Sequence, residues 1–80
     1  MNTNLEKYQE AFEEAFGVDR ERLNADFTNE TVEEWDSIGH MNLISLLEEA
    51  FDIFFEGDDI LAISSYEAGK KILVKYDIEL

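Results

Sequence analysis

Eighty residues with twenty acids against six basic side chains, a net charge of −14, and no cysteine exclude disulfide scaffolds and thiolate metal sites, and set the chain against nucleic acid and anionic membranes as partners. A chain this short makes one domain, residues 1–80, burying about 60% of the surface its unfolded form exposes, which is enough for a core and too little for a deep cleft. Hydrophobic residues at 45%, six Phe included, mark it as globular despite a charged fraction of 32%.

In chain order, the first residues, MNTNLEKYQEAF, have neither the basic flank nor the apolar run of a signal peptide. No apolar stretch reaches membrane-spanning length, so a cytoplasmic chain is expected. Thr3 and Glu6 have the Thr-x-x-Glu spacing of a capping box. Leu5, Tyr8, Phe12, Ala15 and Phe16 then keep a helical stripe until Gly17 closes the segment. Glu6, Glu10, Glu13 and Glu14 fall on its outer, solvated face.

From Val18 to Trp35 neither period holds, and Asn24, Asp26, Thr28, Asn29 and Thr31 favour turns and caps. A long connection is expected, carrying a short turn of helix and pinned by Leu23, Phe27 and Val32. Trp35 is either a hydrophobic staple against the next helix or a half-exposed packing residue.

The second helix follows in the stretch EWDSIGHMNLISLLEEAF, with Asp36 as N-cap and Ser37 at the first helical position. Ile38, Met41, Leu43, Leu47 and Phe51 fall largely on one side of its repeat, which predicts a helix lying on a core with the serine at its edge. Next, Asp52 to Glu56 alternates like a strand with no other strand to pair. An extended connector is expected, with Ile53 and Phe55 inward and Phe54 exposed. Gly57 breaks it, and residues 58–63 form a short helix with Asp58 and Asp59 in its first turn, where the helix dipole favours them. A second capping box, Ser64 to Glu67, opens the last helix. There Tyr66, Gly69, Ile72, Leu73 and Tyr76 make the inner face, and Lys70, Lys71 and Lys75 occupy the later turns. The fold class expected is an all-α bundle of three main helices and one short one.

Charge is distributed unevenly along these elements. No Lys or Arg occurs between Leu23 and Gly69, so the central helix lies in an acidic field that steers basic protein surfaces toward it. Such self-repulsion also favours a monomer. Asp52 and Gly57 match the first and sixth positions of a calcium-binding EF-hand loop, but Phe54 and Ile63 stand where oxygen ligands belong, so no metal is expected.

A serine beside an aspartate at a helix N-terminus admits three readings. It can be a simple first-turn serine, or a nucleophile served by His40 on the same helical face, or an exposed attachment point whose phosphodiester would sit at the positive end of the helix. The second lacks the G-x-S-x-G turn and a substrate cleft, so no enzymatic activity is expected. A further possibility, from charge alone, is an unmodified acidic adaptor or nucleic-acid mimic occupying a basic site.

The segment Asp36-Ser37-Ile38 opens an amphipathic helix ending Leu46-Leu47-Glu48-Glu49-Ala50-Phe51. With the loop, short acidic helix and final helix that follow, it resembles the acyl carrier protein family, loosely in the first helix and closely from Trp35 to Ile63. That resemblance implies an acyl-carrier-like bundle whose Ser37 carries 4'-phosphopantetheine taken from coenzyme A, with magnesium, by a phosphopantetheinyl transferase. It implies that Asp36 helps position the transfer, and that the arm's thiol presents an acyl thioester, or in related carriers an aminoacyl or peptidyl one, to partner enzymes. The loading and acyl-transfer enzymes of the family dock through basic patches. The matching face here comprises Met41, Ile44, Ser45, Glu48 and Glu49, with Asp58 and Asp59 nearby. Ile38 in place of Leu, the pair Gly39-His40, and Val32-Glu33-Glu34-Trp35 before the motif depart from fatty-acid carriers. These departures point to a dedicated carrier of a specialised acyl, polyketide-like or surface-polymer pathway.

Overall fold

The apolar stripe of the first helix decides where the core lies. In the computed structural model, which describes residues 3–80, α1 (Thr3–Phe16) buries Tyr8, Ala11, Phe12 and Phe16 along one face. It stops where Gly17 takes a left-handed φ of +64° and donates its N–H to the Glu13 carbonyl, a closure that favours glycine. Thr3 is itself the first described residue of α1, inside the helix rather than capping it. The connection that follows contains one turn of 3-10 helix, Arg20–Arg22. After it come α2 (Ser37–Phe51), α3 (Gly57–Ala62) and α4 (Tyr66–Lys75). Three main helices and one short one thus form the bundle expected from the sequence, and no strand is present among the described residues.

Phe12 is the hub of the core. The rings of Tyr8, Tyr66, Trp35, Phe27 and Phe16 surround it at centroid separations of 4.9, 5.2, 5.7, 5.8 and 5.9 Å, mostly in the tilted or edge-on arrangements that aromatic quadrupoles favour. Two of these rings, Phe27 and Trp35, come from the long connection, which Val32 also anchors and Leu23 partly anchors. Backbone bonds tie the same connection to the start of α4: Asn29 N–H donates to the Ser64 carbonyl and Tyr66 N–H to the Phe27 carbonyl, each at 2.9 Å. A loop lacking periodicity is therefore held in one place, and it delivers the chain to the start of α2.

Helices α1 and α2 run antiparallel, since Phe16 lies against Gly39 at one end of the pair while Lys7 and Glu10 share a groove with Glu49 and Ala50 at the other. Between them and α4 are Leu43, Leu47, Ile63 and Leu73, all fully buried. Tyr8 reaches across to donate to the Tyr66 carbonyl at 2.5 Å, and Gly69 makes room for that phenol, because a Cβ there would collide with it.

Several local expectations shift. The cap of α4 is Ser65, whose hydroxyl accepts from Ala68 N–H at 2.9 Å, so the box expected between Ser64 and Glu67 gives way to a cap one residue later. The short helix starts at Gly57 rather than after it, and Ile63 follows as its C-cap. Ile38 is 74% exposed, away from the core side on which its spacing placed it. Phe54 at 85% exposure and Phe55 at 8% keep the alternation expected of the connector. Asp52 and Asp77 take left-handed conformations at the ends of α2 and α4, a role more often filled by glycine and tolerated by Asp.

Candidate functional site

The N-terminus of α2 is assembled by capping on one side and by close packing on the other. Asp36 is extended, and its Oδ1 accepts from Gly39 N–H at 2.8 Å, satisfying one of the donors that a helix leaves unpaired at its start. Gly39 is buried against the preceding loop. A Cβ there would lie 2.5 Å from the Glu34 carbonyl oxygen and 3.1 Å from the Phe16 ring. Glycine at this position therefore lets the first turn of α2 press flush on the loop. Ser37 sits outward of this contact, exposed, as the first residue of the helix.

Trp35 is buried at 6% exposure, and occupies the position of a hydrophobic staple with an unusual partner. Its indole lies at 24° to the His40 ring, with centroids 6.2 Å apart, and its Nε1–H donates to His40 Nδ1 at 2.9 Å. An indole nitrogen only donates, so Nδ1 must accept and the imidazole proton belongs on Nε2. That Nε2–H donates to the Ile60 carbonyl of α3 at 2.8 Å. Both ring nitrogens are engaged, and neither is directed at Ser37.

Beside the serine, α2, α3 and the long connection enclose a groove of about 500 Å³, open to solvent. Asn29, Trp35, Asp36, Ser37, His40, Met41, Ile60, Leu61 and Ile63 line it. Its rim carries exposed apolar side chains, Met41 at 50% and Leu61 at 79%, and Ile38 adjoins it in sequence. A second groove, about 460 Å³, lies between α1 and α2 at the opposite end of that pair, where Glu10, Glu14 and Glu49 flank a floor of Ala11 and Ala50.

The residues expected at the docking face divide among these regions. Met41 is exposed beside Ser37, and Ser45 and Asp58 are exposed as well. Glu49 is exposed but belongs to the distant groove. Glu48 is half-buried, and its carboxylate accepts from Phe55 N–H at 2.9 Å, fastening the connector to α2. Ile44 is buried at 1% exposure, so it is a core residue and offers no surface. Asp59 is likewise removed from the surface, at 4% exposure. Lys75 Nζ donates to its Oδ1 at 2.7 Å and Tyr76 Oη donates to its Oδ2 at 2.6 Å, while Glu56 N–H donates to Tyr76 Oη at 2.9 Å. The bond from Lys75, and then that from Tyr76, holds the Asp59 carboxyl below its ordinary range, and the same contacts raise Lys75 and Tyr76. This cluster fastens α3 to α4.

Among the described residues no helix is long and apolar enough to cross a membrane, and no group of three His, Asp or Glu side chains is arranged to hold a metal ion. Asp52 and Gly57, which share EF-hand spacing, are respectively the left-handed C-cap of α2 and the first residue of α3. Leu61 and the contact between Trp35 and His40 escaped the sequence reading of the site, which had Ile38 in the motif but on the core side. Only the run Ile38, Met41, Ser45 and Glu49, at helical spacing and exposed throughout, carried a signal for the outward face of α2. Compared with protein-family models, with curated proteins and with solved structures, the chain has no match.

Proposed function

We propose that the chain is a carrier protein of the acyl-carrier type, bearing 4'-phosphopantetheine on the Ser37 hydroxyl and performing no catalysis of its own. The observation that carries this reading is Ser37 itself, which stands exposed at the first position of a capped helix, at the mouth of an apolar groove, with the nearby histidine engaged elsewhere. A hydroxyl so placed is accessible to a transferase, and the residues present fit the group: the serine oxygen can become the phosphodiester oxygen, and the groove can take the first atoms of the arm. In the transfer, the Ser37 oxygen bonds to the pantetheine-bearing phosphorus of coenzyme A, the pyrophosphate P–O bond breaks, adenosine bisphosphate leaves, and the hydroxyl proton passes to a base of the transferase. When attached, the group supplies a thiol on a flexible arm, the nucleophile that a chain without cysteine lacks.

Asp36 holds the first turn through its cap, and through it the position of Ser37. The partners are a phosphopantetheinyl transferase and cytoplasmic loading and transfer enzymes with basic docking surfaces, met by a monomer. The docking face narrows to Ile38, Met41 and Leu61 around the serine, with Asp36 and Asp58 supplying negative charge. The cargo belongs to a specialised acyl, polyketide-like or surface-polymer route, or is an aminoacyl group loaded by an adenylating enzyme. Incubating the chain with coenzyme A, magnesium and a broad-specificity transferase is expected to add one phosphopantetheine by intact mass, and Ser37→Ala to add none. A folded chain that gains nothing beside an actively modified control carrier would leave the acidic adaptor reading in its place. That reading predicts binding to a basic partner independent of Ser37.

A further inference from the structure

An arm on Ser37 has two places to put its cargo, the open groove or the interior of the bundle behind it; Trp35, His40 and Ile63 wall the groove on that side, and His40 bridges the seam between α2 and α3. That seam is crossed by a continuous chain of hydrogen bonds, from Trp35 Nε1–H to His40 Nδ1 and from His40 Nε2–H to the Ile60 carbonyl. The indole packs on Phe12, Phe16 and Phe27 of the core, so His40 cannot swing aside without losing partners on both sides. Behind the seam the volume is already taken. Leu43 and Leu47 are fully buried, Ile44 nearly so, and Phe12 is ringed by aromatic side chains. Interiors packed to this degree accept added methylenes only by displacing side chains from contacts they already make, and opening the seam would strand the indole N–H and the Ile60 carbonyl.

Resting on the carrier reading, we propose that His40 is a specificity-determining residue that keeps the cargo outside the bundle, so that the thioester carried on Ser37 is a short or polar acyl or aminoacyl group lying in the groove. A long alkyl chain finds no path inward. Met41, Ile60 and Leu61 offer such a cargo a shallow apolar wall, while Asn29 and Asp36 offer polar contacts at its edges.

The test loads the wild-type chain with acetyl, octanoyl and myristoyl arms by a broad-specificity transferase acting on the corresponding acyl-coenzyme A. Intact mass confirms each product before thermal unfolding, Trp35 emission and the rate of thioester cleavage by hydroxylamine are compared. Trp35 is the sole tryptophan, so its emission reports directly on the seam. The three forms are expected to share one midpoint, one emission maximum and one cleavage rate. His40→Ala is expected to make the midpoint rise with chain length, whereas His40→Gln, whose amide retains a donor and an acceptor, is expected to behave as wild type. A wild-type midpoint that rises by about 4 °C or more from acetyl to myristoyl, the shift expected when a domain of this size gains a buried ligand, would overturn the proposal. So would slowed cleavage of the myristoyl thioester, or a folded His40→Ala protein with no length dependence. Should His40→Ala not fold, the wild-type comparison decides alone. A chain that takes no arm loses the carrier reading at the mass step, before any comparison of lengths.

Discussion

Trp35 and His40 lie edge to edge, their rings 24° apart with centroids at 6.2 Å, and the indole N–H donates to Nδ1 at 2.9 Å. This contact fixes the imidazole as the Nε2–H tautomer and turns that proton toward the Ile60 carbonyl. The 15N shifts of His40 at neutral pH are accordingly expected to show a protonated Nε2 and an unprotonated Nδ1. Trp35→Phe removes the donor but keeps a ring in the core. It should cost about 0.5–1.5 kcal/mol by urea denaturation, the net worth of a hydrogen bond whose acceptor is only partly buried. Shifts of the other tautomer would refute the hydrogen-bond chain.

Gly39 and Gly57 make opposite predictions from the same substitution. A Cβ at Gly39 meets the Glu34 carbonyl oxygen at 2.5 Å, so Gly39→Ala must push the first turn of α2 off the loop, costing about 1–3 kcal/mol and displacing Ser37. Gly57 has nothing within 4 Å of its Cβ position and begins α3. Gly57→Ala is expected to stabilise by about 0.4–1 kcal/mol, by restricting the unfolded chain. Equal effects of the two would contradict the packing described.

Asp36 combines a capping role with a place beside the Ser37 hydroxyl, and two substitutions separate them. Asp36→Ala should lose about 1 kcal/mol with the cap. Asp36→Asn keeps an oxygen for Gly39 N–H, and should stay near wild-type stability while arm attachment slows. If attachment by Asp36→Asn keeps the wild-type rate, the carboxylate acts only as a cap.

The cluster around Asp59 makes stability depend on pH in both directions. The carboxyl is held low by Lys75 first and Tyr76 second, so its contribution is complete above the ordinary Asp range and is lost as pH falls through the depressed folded value. Lys75 and Tyr76 are raised by the same contacts. Their contribution is complete below their ordinary values and is lost as pH rises through the raised ones. The stability difference between wild type and Asp59→Asn should therefore be level through neutral pH and shrink toward both extremes. Taking the difference removes the general effect of discharging so acidic a chain. A difference that stays constant into acid would show that the charge of Asp59 contributes nothing.

Much of the fold could be read from local rules, and the exceptions share one cause. The Asp36 cap, the Gly17 stop and the alternation of Phe54 and Phe55 each depend on a few neighbouring residues, and each was legible. Ser64 and Ser65 are equally good caps by sequence. The choice between them is made by the long connection, which takes the Ser64 carbonyl for Asn29 N–H. Asp59 looks like an ordinary first-turn acid until α4 brings Lys75 and Tyr76 onto it from 16 and 17 residues away. Ile44 and Ile38 exchanged places relative to the expected faces, Ile44 being buried and Ile38 exposed, which the spacing of apolar residues within α2 alone does not decide. At the N-terminus of α2, the Asp36 cap and the edge position of Ser37 were legible. The Trp35–His40–Ile60 chain was not, since its last link joins residues that only the bundle brings together.

The measurement that bears most directly on the central claim is peptide-level mass spectrometry of the chain after reaction with coenzyme A and a transferase, resolving its four serines, Ser37, Ser45, Ser64 and Ser65. The carrier account predicts one phosphopantetheine, on the peptide containing Ser37 and released from that residue on fragmentation. An arm found on Ser45, Ser64 or Ser65 instead, or no arm on a folded chain beside a control carrier that is fully modified, would contradict it.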